Sequence, residues 1–130
     1  MGRTKTKIAA LGILLSPLHA TATDYAPGEK LTLFNCGRCH VINEKNKYGG
    51  IGSTPSFGAL RTMEDWEDRI DAFYTLAPHP AFTQIEDVTD PFPIDRPSPI
   101  HPLELTLEDI ETIREFTRTI PPKNLGGEVR

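Results

Sequence analysis

Nothing else in the chain restricts its fold as tightly as five consecutive residues, Cys36-Gly37-Arg38-Cys39-His40. A C-x-x-C-H sequence is the pattern of c-type haem attachment: each thiol adds across one vinyl group of the porphyrin, and the imidazole that follows rises to the iron. One helical turn must present two sulfurs to two vinyls while the next residue faces the metal, so local backbone and cofactor position are set together. Two other chemistries use C-x-x-C. A dithiol redox pair in a thioredoxin-like domain calls for strands around the motif, and the flanking pattern offers none. Half of a zinc site calls for a second ligand pair, and Cys36 and Cys39 are the only two cysteines.

The 130 residues suit one domain. Twelve prolines and few aromatics predict much irregular structure over a modest core. A covalently held apolar cofactor would complete that core and stabilise it, so the apoprotein is expected to be poorly folded. Residues 1–22 have the form of a secretory signal: Arg3, Lys5 and Lys7 precede the short apolar run Ile8 to Leu15, and Ala20-Thr21-Ala22 supplies small residues for cleavage after Ala20 or Ala22. The run is far shorter than the ~20 residues that span a bilayer, so no stable membrane span is expected after cleavage. The mature part, 23–130, then holds 11 basic and 18 acidic residues, a net charge of −7. Such a surface argues against nucleic acid and for a redox protein partner with a basic docking patch.

Along that part, Leu31, Phe34 and the cysteines fall at helical spacings, predicting a helix over 27–41 with Phe34 pointing inward. Asn43 to Gly52 is polar and glycine-rich, a loop. The second predicted helix runs from Thr62 to Tyr74. It opens on Thr62 and Asp65 at capping-box spacing and buries a stripe of Met63, Trp66, Ile70 and Phe73. Ala77 to Leu105 carries seven of the prolines and predicts no regular structure. The last helix is expected over 106–119, with Thr106 and Asp109 at its start, an apolar face of Leu107, Ile110, Ile113, Phe116 or Thr117, and Ile120, and Pro121-Pro122 at its end. Residues 123–130 read as a loose tail.

The succession of C-x-x-C-H, a Gly-rich loop, Thr54-Pro55-Ser56-Phe57, a middle helix, a Pro-rich loop and a helix with Ile110, Ile113 and Phe116 resembles the class I c-type cytochromes over residues 26–121. The resemblance implies an all-α fold, about three main helices around one covalently attached haem c, with a long Pro-rich loop before the C-terminal helix. It implies that the Pro55 carbonyl bonds the second nitrogen of His40, and that Phe57 and Trp66 belong to the cofactor surroundings, Trp66 either through its indole N–H to a propionate or as a core residue. It also implies that the first and last helices cross, with Phe34 against Phe116. The family's second axial ligand is a methionine followed by proline shortly before the last helix. No methionine follows Met63 here, and Ile100-His101-Pro102 stands in that slot. The implied metal ligands are therefore His40 and His101, with His79 of Pro78-His79-Pro80 next, Met63 after it, and an open position as the remaining case.

The function expected is a periplasmic mono-haem electron carrier, or the electron-transfer subunit of an oxidoreductase, with no acid–base or nucleophilic residue and so no enzyme in its own right. The alternative is a haem-based small-ligand binder, sensor or peroxidase with a labile sixth ligand. A third reading, thiol–disulfide exchange without haem, requires free titratable thiols.

Overall fold

Helix α1 (Ala26–Cys36) stops at the first cysteine of the motif. The computed structural model describes Gly2 and residues 26–126. Gly2 apart, the signal read at 1–22 lies outside the described residues, as does the end of the tail at 127–130. On α1 the buried side is made of small groups. Thr32 is fully buried and satisfies its hydroxyl within the helix by donating to the Gly28 carbonyl, 2.7 Å away. At Gly28 a Cβ would stand 2.9 Å from Phe116 Cβ and 3.2 Å from the Thr112 carbonyl, so the glycine is where the last helix, α4 (Leu107–Arg118), crosses. Phe116 is buried at this crossing, but Phe34 is 79% exposed. The expected Phe34–Phe116 contact is thus replaced by Gly28–Phe116. Six residues beyond Gly28, Phe34 lies roughly 120° around the helix from the contact.

α4 forms as its sequence predicts. The Thr106 hydroxyl accepts from the Asp109 N–H at 3.0 Å, and the Asp109 carboxylate accepts from the Thr106 N–H at 2.8 Å, which satisfies two otherwise orphaned donors. Ile110, Ile113, Phe116, Thr117 and Ile120 are buried. Leu107, counted on the same face from the sequence, is exposed.

Between them the chain departs from expectation. The single helix predicted over 62–74 forms only in part, as α3 (Trp66–Asp71) and a 3-10 turn over Phe73–Thr75, while a separate short helix, α2 (Phe57–Leu60), precedes that span. The capping box at Thr62 and Asp65 does not form. Thr62 turns its hydroxyl back to the Ala59 carbonyl, and the Asp65 carboxylate is engaged by Arg69 Nε at 2.9 Å. Trp66 and Ile70 are buried as expected, while Met63, outside either helix, is exposed. The Arg61 guanidinium lies 4.2 Å from the centre of the Trp66 ring, a cation–π contact on a core tryptophan.

The Pro-rich region also contains regular structure. β1 (Thr83–Ile85) and β2 (Leu103–Leu105) pair in parallel, with Thr83, Gln84 and Ile85 opposite Leu103, Glu104 and Leu105. Alternation turns Thr83, Ile85, Leu103 and Leu105 inward and Glu104 outward. The architecture is therefore not all-α with three main helices. Among the described residues there are two α-helices of 11 and 12 residues, two of 4 and 6, and a small parallel sheet. The core joins Ile42, Phe57, Trp66, Ile70, Ile85 and Leu105 to the buried face of α4. Among the described residues no helix is long and apolar enough to cross a membrane.

Candidate functional site

Past Cys36 the backbone winds through one more turn, in which the N–H groups of Cys39 and His40 both donate to the Cys36 carbonyl, at 3.1 and 2.9 Å. Gly37 is the residue this turn requires, because a Cβ there would lie 2.3 Å from the Leu33 carbonyl oxygen. Asn46, from a 3-10 turn over Glu44–Asn46, closes the structure from below. Its Nδ2 donates to the carbonyls of His40, at 2.9 Å, and Gly37, at 3.3 Å, and its Oδ1 accepts from the N–H groups of Ile42 and Asn43. The chain then returns beneath the motif. Gly50 adopts a φ of +79° where a side chain would press on the backbone of Cys39 to Val41, Ile51 N–H donates to the Cys39 carbonyl, and Phe57 N–H donates to the Val41 carbonyl.

This return delivers Pro55 to His40. The imidazole Nδ1 is 2.7 Å from the Pro55 carbonyl, a bond that requires the proton on Nδ1 and leaves Nε2 with its lone pair. Phe57, buried, sets its ring edge-on to His40 with centroids 5.5 Å apart. Burial holds the His40 imidazole below its ordinary basicity, partly offset by the Pro55 bond, and neighbouring His79 adds to the lowering. The neutral ring is the form that binds metals. Burial, and secondarily the adjacent Cys39, pushes the Cys36 thiol up to about 12. Redox-active C-x-x-C pairs depend instead on a depressed thiol, so this environment disfavours disulfide exchange.

Cys36, Cys39 and His40 face a cavity of about 640 Å³. That lies within the about 300–1,000 Å³ of sites that hold small molecules and cofactors. α4 supplies its floor through Ile110 and Ile113, and Phe73, Leu76 and Phe82 supply the far wall. Arg69 is the one acidic or basic side chain on this lining among the described residues, histidines aside. Ile51, Met63, Leu76 and Ile100 also line the cavity yet remain 37–52% exposed, forming an apolar rim.

The cavity is also lined by His79, in a 3-10 turn over His79–Ala81. Its ring is parallel to that of His40 within 5°, with centroids 6.2 Å apart. Its Nδ1 is 3.0 Å from the Leu76 carbonyl, and Phe73 and Phe82 flank it with centroids at 5.2 and 5.8 Å.

Of the residues singled out by sequence, the structure brings together Cys36, Cys39, His40, Pro55 and Phe57. Trp66 is buried in the core and does not line the cavity, and its place beside the slot is taken by Arg69. His101 is exposed and off the lining, its Nδ1 3.1 Å from the neighbouring Pro102 carbonyl, while its own carbonyl accepts from Arg38 at 3.2 Å. His79, the next candidate from the sequence, lines the cavity with its ring parallel to that of His40. Asn46 carries no sequence signal beyond its spacing from Asn43, with which it caps the 3-10 turn.

Among the described residues no three His, Cys, Asp or Glu side chains gather as a zinc site would need. A haem iron brings four nitrogens of its own and asks only for axial ligands, so two cysteines, one imidazole with a free Nε2 and an apolar slot fit haem c. Comparison of the chain with protein-family models, with curated proteins and with solved structures finds no match.

Proposed function

We propose that the chain holds one haem c through Cys36, Cys39 and His40 and carries single electrons between redox proteins. The observation that supports this most is the C-x-x-C-H turn opening on an apolar slot of about 640 Å³, with His40 Nδ1 bonded to the Pro55 carbonyl. The bound haem supplies an iron that exchanges one electron between Fe(II) and Fe(III). The protein's part is to hold it. Cys36 and Cys39 fix the ring edge on the turn that Gly37 and Asn46 stabilise, and His40 offers Nε2 in an orientation locked by Pro55 and Phe57. Ile110, Ile113 and Phe57 exclude water from the ring, which keeps reorganisation on electron transfer small. Arg69 offers a cation to a propionate. Ligand identity, burial and these outer bonds set the reduction potential. No side chain performs acid–base or nucleophilic chemistry in this role. The signal-like segment at 1–22 supports a periplasmic location, where the haem is attached, and the acidic mature composition favours partners with a basic patch.

Expression of the full chain with export and haem-attachment machinery tests the reading. The product should be red and heavier by one covalent haem, and Cys36→Ser/Cys39→Ser should abolish both. Carbon monoxide added to the reduced protein should leave the spectrum unchanged. A ready CO complex would favour the small-ligand binder, and a colourless product with two titratable thiols would overturn the haem reading.

A further inference from the structure

The two sides of the slot are built alike. On one, His40 holds Nδ1 against the Pro55 carbonyl at 2.7 Å and meets Phe57 edge-on. On the other, His79 holds Nδ1 against the Leu76 carbonyl at 3.0 Å and meets Phe73 and Phe82 edge-on. Each bond commits the Nδ1 proton to a backbone acceptor, so each ring is left with Nε2 as its free lone pair, and both rings line the same cavity. A histidine ligand is ordinarily fixed through its other nitrogen in this way. The separation agrees with that reading. Two imidazoles bound to one metal from opposite sides, each at about 2 Å, have centroids roughly 6 Å apart. The observed value is 6.2 Å, with ring planes within 5°.

We infer that His79, and not His101, is the second axial ligand of the iron, giving a coordinatively saturated bis-imidazole centre with parallel rings. The inference rests on the haem reading above and goes further than it, because it fixes the coordination. Both imidazoles are held by a backbone bond and an aromatic wall. His101 also holds Nδ1 against a backbone carbonyl, that of Pro102 at 3.1 Å, but it is exposed and does not line the cavity. Parallel rings direct their π-donation at the same iron d orbital and split the orbital pair, which predicts a rhombic ferric EPR spectrum with three resolved g values. A histidine in place of methionine also lowers the potential.

The test compares the intact holoprotein with His79→Ala, His79→Met and His101→Ala, each assayed first by mass for one covalent haem. Ferric EPR, near-infrared spectra and reduced-state CO binding are then recorded. The wild type should be low-spin and rhombic, with no methionine–iron band. His101→Ala should be indistinguishable from it. His79→Ala should keep its haem, turn high-spin, bind CO when reduced, and return to low-spin on addition of imidazole. His79→Met should gain the methionine–iron band and a higher potential. A low-spin His79→Ala that ignores CO, or a His101→Ala that turns high-spin, overturns the assignment while leaving the haem reading intact. Absence of covalent haem from the wild type overturns both. If His79→Ala fails to accumulate, His79→Met decides: a spectrum unchanged from wild type overturns the proposal.

Discussion

Asn46 shows how much of the motif's geometry depends on a residue outside it. Its amide spans the turn, donating to the carbonyls of Gly37 and His40 and accepting from two N–H groups beyond. Asn46→Ala leaves these partly buried groups without partners, at a cost of roughly 2–4 kcal/mol. The holoprotein's urea midpoint should fall accordingly at unchanged slope, and a midpoint equal to wild type would show that water replaces the side chain. The motif residues themselves were legible, because C-x-x-C-H is a covalent requirement that tolerates little variation. Pro55 was legible through the resemblance alone. Asn46 was not, since a polar residue in a Gly-rich loop looks like any other until its bonds are seen. Chain position favours His101 over His79, whereas the slot brings together residues by wall and floor.

At the scale of elements, helix ends and caps were readable because they are local: Thr106, Asp109 and Pro121 mark α4 without reference to the rest of the molecule. What packs against what was not. α1 is apolar on several sides, with Leu31, Leu33 and Phe34 each a reasonable inward residue, and only the close approach of α4 at Gly28 decides between them. Gly28→Val should therefore destabilise the holoprotein by about 1–3 kcal/mol through overpacking against Phe116 and Thr112. Phe34→Ser should change stability by no more than about 0.5 kcal/mol. Thermal melts of the two variants test the crossing, and the opposite ordering would refute it. β1 and β2 are not legible in the sequence, because three residues each carry too little alternation to stand out and their pairing spans a long loop. A second contact tethers α1 to the turn below the motif. Lys45 and Asn43 both bond the Glu29 carboxylate, and Lys45 chiefly, then Asn43, hold its pKa below the ordinary 4.5. A depressed carboxylate stabilises the fold above its unfolded pKa and loses that contribution as pH falls through the lowered value. Glu29→Gln should thus be less stable than wild type at neutral pH, and the difference in Tm should close with acidification below 4.5. A gap that persists unchanged in acid would assign the effect to packing instead.

For the molecule as a whole, the slot is the main fact of stability. A cavity of about 640 Å³ sits beside the core and borrows its walls from α4, the Phe73–Phe82 region and the C-x-x-C-H turn. Without an occupant those walls lose contacts and face water, whereas a covalently bound apolar ring joins them. The Cys36→Ser/Cys39→Ser protein should therefore melt broadly and show weakened near-ultraviolet circular dichroism, against a sharp transition for the holoprotein. A sharp melt at the holoprotein's temperature would mean that the walls close on themselves. The parallel ladder of β1 and β2 carries a different consequence. The Leu103 N–H reaches the Phe82 carbonyl and the Glu86 N–H reaches that of Leu105, so residues 86–102 leave and re-enter the body at one clasp. Lengthening a loop closed in that manner costs little, about 0.6 kcal/mol for each doubling. The segment is thus a natural place for grafting: a peptide tag or docking epitope spliced in near Asp95 would ride on the clasp, leaving the histidine turn upstream and the last helix downstream in register.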